Sequence, residues 1–257
     1  MRIAGVVEYD GTAFQGWQVQ EGTPTVQGAV EDAVSQVADH PVKVTAAGRT
    51  DAGVHAVAQV FHFDTDARRS ARSWTLGTNV NLPADITVHG TTAVADDFHA
   101  RFSALSRVYR YVILNRWVRP ALQQNRVAWF PKPLDAGHMD QAAIALLGEH
   151  DFTSFRAVAC QAKQPVRTVH RIAVTRRGDH VILEIEANAF LHHMVRNIVG
   201  TLLRIGTGDR PVESMREVLD ARDRASAGMT APAAGLYLVR VRYPEHFELP
   251  DGPELVY

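Results

Sequence analysis

Val42-Lys43-Val44-Thr45-Ala46-Ala47-Gly48-Arg49-Thr50-Asp51-Ala52-Gly53-Val54-His55 is an alternating run that breaks into a glycine-bounded loop, and Val57 to Asp64 alternates again directly after it. A period of two marks half-buried strands, so residues 42–47 and 57–64 read as strands and a sheet supports both ends of the loop. Gly48 and Gly53 permit tight turning and close approach to a ligand, and Asp51 lies between them beside Arg49. For a bare Gly-x-x-Asp-x-Gly, the ordinary reading is an Asx-type turn whose carboxylate satisfies backbone N–H groups or pairs with the arginine. The full octapeptide 48–55 favours an active site instead.

Outward from this loop, strands and helices mix. Arg2 to Tyr9 reads as a strand ending in an Asp10-Gly11 turn. Val26, Ala29, Val30, Ala33, Val34 and Val37 recur at helical spacing behind a cap at Thr23 or Thr25, with Pro24 in the first turn. Trp74 to Val80 predicts a helix stopped by Pro83, and residues 107–114 a strand with Arg107, Tyr109, Tyr111 and Ile113 on one face. Asp135 caps a helix through Leu147, followed by a functional loop from Asp151 to Lys163. Val169–Thr175 and His180–Ala187 form a hairpin across Gly178. Leu191, Val195, Ile198, Leu202 and Ile205 form a helical stripe, Pro211 to Asp223 another helix, and Leu236 to Tyr243 a last strand. This order predicts an α+β chain, helices packed on largely antiparallel sheets.

At 257 residues and 46% hydrophobic, the chain can bury two modest cores. We place a domain boundary so that residues 1–104 carry the Asp51 loop and 105–257 form the second domain. One cysteine, Cys160, excludes an internal disulfide framework, and no apolar segment precedes Tyr9, so a cytoplasmic protein with no membrane association is expected. The net charge of −1 argues against a generally basic nucleic-acid protein. Its distribution argues otherwise: Phe98 to Gly178 holds 13 Lys and Arg against 4 Asp and Glu, and the remainder 14 against 24. Such a run is usually a solvated face. Here it interleaves with Phe98, Phe102, Tyr109, Tyr111, Trp117, Phe152 and Phe155, a mixture suited to phosphates and stacked bases.

A lone aspartate can be a metal ligand, a general base or a nucleophile. Metal-ligand spacing is absent: no C-x-x-C or H-E-x-x-H occurs, and His192 and His193, if helical, point about 100° apart. No second carboxylate shares a comparable signature. Arg49 and Thr50 suit a carboxylate held ionised, as nucleophile or as base.

The octapeptide resembles the catalytic signature of the tRNA pseudouridine synthase A family. Ordered blocks extend the resemblance over most of the chain: Glu8 to Thr12 with Gly16-Trp17-Gln18, Asp97 to Ser103, Asp151 to Arg156, Asn188 to Gly200, and Gly235 to Leu238. It implies two similarly folded α/β domains, each with a mainly antiparallel sheet flanked by helices, an active-site cleft between them, and a homodimer. The implied activity converts uridine to pseudouridine at positions 38, 39 and 40 in the anticodon stem-loop of tRNA. By the same resemblance Asp51 is catalytic, and Arg49, Tyr109 and Arg196 bind the substrate. Arg69, Phe98, His99, Ala100, Arg101, Phe102, Phe130, Ala159, Cys160, Gln161, Ala162 and Lys163 contact the tRNA. The reaction has no redox change, so no cofactor and no metal are expected. Asp51 attacking the ribose, attacking the uracil, or removing a ribose proton to give a glycal all fit the residues. The base must leave its stack, and Arg49 is placed to steer that flip. Two rival classes explain less. A noncatalytic RNA-binding protein leaves the Asp51 loop unexplained, and a metal-dependent nuclease or deaminase lacks its ligand spacing.

Overall fold

In the computed structural model, which describes residues 1–255, the elements of the first half are β1 (Arg2–Tyr9), α1 (Val26–Ala38), β2 (Thr45–Ala46), β3 (His55–Asp64), α2 (Ala71–Asn81) and β4 (Ile86–Val94). There follow β5 (Ser106–Asn115), β6 (Ala128–Phe130), α3 (Ala136–Ala143), β7 (Gly148–Asp151), β8 (Val166–Arg177), β9 (His180–Ala187), α4 (Met194–Gly206), α5 (Ser214–Ala221) and β10 (Leu236–Arg242). The fold is mixed α/β and its strand pairs are mostly antiparallel. Two compact units result: Met1–Arg107 with residues 237–255, and Val108–Leu236.

In the first unit the strand order is β4-β1-β3-β10, with β2 alongside β3. β1 pairs antiparallel with β3, bringing Gly5 opposite Phe61, whose ring lies where a Cβ on residue 5 would stand, 2.6 Å away. Thr25 caps α1 by accepting the Gly28 N–H, and Pro24 precedes the cap rather than entering the first turn. Val26, Val30, Ala33 and Val34 are buried as the helical period requires, but so is Glu31. Its Oε1 accepts the Val44 N–H at 3.1 Å and its Oε2 meets Lys43 Nζ at 2.7 Å. Only Thr45–Ala46 of the expected 42–47 strand enters the sheet, because the Val44 N–H is directed to that side chain. β10 pairs in parallel with β3, Tyr237 beside His55. The C-terminal segment therefore belongs with the first unit, whereas a division at 104/105 assigns it to the second.

In the second unit the order is β5-β9-β8-β7, with β6 parallel to β5. The expected hairpin is β8–β9, turning at Gly178 with φ +56. β5 has no solvent face: Val108, Tyr109, Tyr111, Val112, Ile113 and Leu114 are all buried, as in a strand covered on both sides. Asp135 Oδ1 caps α3 through the His138 N–H. The stripe Val195, Ile198, Leu202 and Ile205 is the buried side of α4, which begins only at Met194. His193 precedes it in the left-handed region, φ +60, and its ring centroid lies 4.0 Å from that of His192. The 100° separation expected of a helical pair therefore does not apply. No described helix is long and apolar enough to cross a membrane.

Candidate active site and RNA-contact residues

Asp51 is half-buried on the loop between β2 and β3, and the residues around it are held from the N-terminal segment of the same unit. Trp17 N–H donates to Thr50 O at 3.0 Å, the Tyr9 hydroxyl meets Thr50 Oγ1 at 2.8 Å, and Gln59 Nε2 donates to Gly48 O at 2.7 Å. Beyond the aspartate, Val54 N–H returns to Asp51 O at 3.1 Å across Gly53, whose φ of +74 favours glycine. Gly16, at φ +90, passes so close that a Cβ would come within 2.6 Å of Thr50 O. Gly48 has neither property: its φ is not left-handed and nothing surrounds its missing Cβ. The tight turn rests on Gly53 and the close backbone approach on Gly16.

Thr50 is buried at 6% exposure, and burial raises the Tyr9 hydroxyl pKa far above that of an exposed phenol. His55 is a support rather than a ligand. Its Nδ1 accepts the Gly11 N–H at 3.0 Å, and its ring stacks on Tyr237 at 4.8 Å. Arg49 is exposed, and so is Arg69.

The block 98–102 divides. Phe98 and Ala100 are wholly buried, Phe98 between Tyr243, Phe247 and His62, so neither presents surface to an RNA and both leave the expected contact set. Arg101 and Phe102 are exposed, with the guanidinium 5.6 Å from the ring centroid, and Phe102 also packs on the half-buried His99. A turn with no periodicity does not disclose which of its residues face inward; the backbone does, through Ala100 N–H donating to His62 Nδ1.

Arg107 is the residue that sequence reasoning passed over. Its guanidinium, 9% exposed, donates to Ala47 O at 2.9 Å, Arg101 O at 2.7 Å and Ala104 O at 3.3 Å. It ties the 98–103 block to the strand entering the Asp51 loop. A charged residue on an otherwise apolar strand face was the available signal, since such a group is buried only when fully bonded.

In the second unit Tyr109 is buried at 8% exposure, edge-on to Phe190 at 4.9 Å. Arg196, on the first turn of α4, donates from Nε to Ala231 O at 2.7 Å, while Tyr111 donates to Pro232 O at 2.7 Å. The segment 231–232 is thus pinned beside Arg196. Arg156 closes the 157–163 loop by donating to Cys160 O and Ala162 O at 2.6 and 2.8 Å. Burial acts to raise the Cys160 thiol pKa, but backbone hydrogen bonds from Ala162 and His192 and the Arg156 guanidinium outweigh it and hold the thiol below its usual range. Ala159, Gln161 and Lys163 are exposed and Ala162 half-buried, as is Phe130 at the end of β6.

Comparison with known proteins adds independent findings. The family described as tRNA pseudouridine synthase matches residues 6–103 and 142–244. The tRNA pseudouridine synthase A of Nitrosococcus oceani is 56% identical over 250 residues, covering 97% of this chain and 96% of that relative. Its namesake in Pseudomonas aeruginosa is 56% identical over 259 residues, covering 99% and 91%. The one in Alcanivorax borkumensis is 53% identical over 253 residues, covering 98% and 95%.

Proposed function

Because the chain belongs to the tRNA pseudouridine synthase family, we propose that it isomerises uridine to pseudouridine in tRNA with Asp51 as the catalytic carboxylate. The observation that carries the assignment to Asp51 is its setting: a half-buried carboxylate on a loop anchored on both sides by named hydrogen bonds. Such fixing places a reacting group without reorganisation at the moment of reaction. The bond from ribose C1′ to uracil N1 breaks, the base turns, and C1′ joins C5, whose hydrogen leaves to water as a proton while N1 takes up a proton. No electron is gained or lost overall.

Arg49, exposed on the same loop, enters the space left by the flipped nucleotide. Tyr109 stacks on the uracil, and Arg196 takes part in binding the substrate. Exposed Arg69, Arg101, Phe102 and Lys163 bind the anticodon stem-loop, where positions 38 to 40 are the targets. A homodimer is supported by the exposed apolar run Trp117, Val118 and Leu122, which stands 86%, 63% and 98% accessible. A tRNA substrate supports a cytoplasmic location.

The test is release of tritium from tRNA labelled at uridine C5, with chelator present and no cofactor added. Wild type releases label from the anticodon arm without strand breakage, and Asp51→Asn binds tRNA but releases none. Binding without release by wild type would favour the noncatalytic RNA-binding reading.

A further inference from the structure

We propose that Tyr9 and Gln59 are positioning residues for Asp51, acting through Thr50 and Gly48; the inference rests on the reading of Asp51 as the catalytic carboxylate. Gln59 on β3 is fully buried, and its Nε2 donates to Gly48 O at 2.7 Å. This contact fixes the amide orientation, because the reverse one would set two carbonyl oxygens against each other. Gln59 Oε1 is then buried without a hydrogen-bond partner. Beside it, the Tyr9 hydroxyl meets Thr50 Oγ1 at 2.8 Å. Two separate contacts therefore hold the residues just before Asp51.

An unpaired buried acceptor destabilises a fold, and an apolar side chain of similar volume would remove that penalty. Gln59 keeps it while fixing the carbonyl of residue 48, and Tyr9 separately holds the side chain of residue 50. Trp17 N–H on Thr50 O is a third contact. The backbone entering Asp51 is therefore set from beneath by groups that touch no substrate.

This arrangement separates stability from rate. Gln59→Met deletes the unpaired acceptor together with the donors, at nearly constant volume. With C5-tritiated tRNA, its kcat is expected to fall about tenfold or more, while the Kd for tRNA changes less than about twofold. Its unfolding midpoint holds level or rises. Tyr9→Phe and Thr50→Val each lower kcat, and the double variant is no worse than the poorer single one, since both break the same bond. Thr50→Ser, which retains the hydroxyl, restores the rate. Full kcat in Gln59→Met and Tyr9→Phe would overturn the proposal, and so would losses that merely follow a lowered unfolding midpoint. Should Gln59→Met fail to fold, Tyr9→Phe and Thr50→Val decide it by the same criteria. A wild-type protein that releases no tritium refutes the synthase reading itself, a result distinct from an active enzyme with unimpaired variants.

Discussion

Replacing Arg107 with leucine removes a buried cation that three backbone carbonyls accept from, and the loss can be apportioned among them. Ala47 is 2% exposed, so its oxygen, 2.9 Å from the guanidinium, gains no water when the arginine is gone. Breaking a hydrogen bond to a charged donor at such a site costs about 2 kcal/mol. Arg101 O and Ala104 O belong to an exposed and a half-buried residue, and water replaces much of what they lose. Together they contribute about 1 kcal/mol. The sum, about 3 kcal/mol, corresponds to a fall of roughly 6–12 °C in the unfolding midpoint for a chain of this size. Calorimetry or urea titration measures it, and a filter-binding assay on tRNA reports the accompanying displacement of Arg101. Arg107→Lys, with one donor head in place of a fork, is expected to recover only part of the loss. A midpoint within about 2 °C of wild type for Arg107→Leu would show that these carbonyls find other partners, and the clamp would be refuted.

Tyr109→Phe keeps the edge-on packing against Phe190 and deletes only the hydroxyl, so tRNA binding should hold while single-turnover tritium release slows; an unchanged rate would leave the ring as a stacking surface alone. Neutralising Arg101 or Lys163, both exposed, should flatten the dependence of tRNA affinity on salt by roughly 0.7–0.9 in log–log slope for each phosphate no longer neutralised. Equal slopes in wild type and both variants would locate the RNA elsewhere. His62 is held neutral in the fold, its pKa pushed down to about 4 by burial, with Arg2 and His99 adding to the effect and Asp64 opposing it. Below the unfolded value of about 6.5 the unfolded chain takes up a proton that the folded chain refuses, so stability falls between about pH 6.5 and pH 4. His62→Gln is expected to remove that part of the slope in urea titrations across this range, and an identical slope would assign it to another group.

Much of this architecture was legible because periodicity reports burial. α1, α4 and the β8–β9 hairpin follow their apolar spacing, whereas β1 and β3 form where expected but are buried on both faces rather than alternating. Where polar side chains took over a backbone role, the pattern misled. Glu31 lies on an apolar helix face and satisfies Val44, which shortens β2 to two residues. β4 was overlooked because His89 and Gly90 interrupt its alternation, and β6 and β7, of three and four residues, are too short to carry a period. The Asp51 loop could be read from its motif, whereas the roles of Tyr9 and Gln59 could not, and Arg107 signalled only that a buried charge needs partners, not which ones. Tyr9 and Arg107 act on residues 41 and 60 positions away, and only a folded backbone brings such partners together.

The return of β10 to the first unit bears on when the enzyme becomes competent during synthesis. Residues 108–236 emerge from the ribosome with every strand of their own unit in hand and can fold while translation continues. The first unit, though begun earlier, lacks Tyr237 against His55 and the Tyr243 hydroxyl on Ala100 O until residues 237–243 have emerged. The part that bears Asp51 is therefore begun before the second unit and completed after it. A ribosome-stalled chain ending near residue 236 should hold a protease-resistant second unit while the Asp51 loop remains open to cleavage.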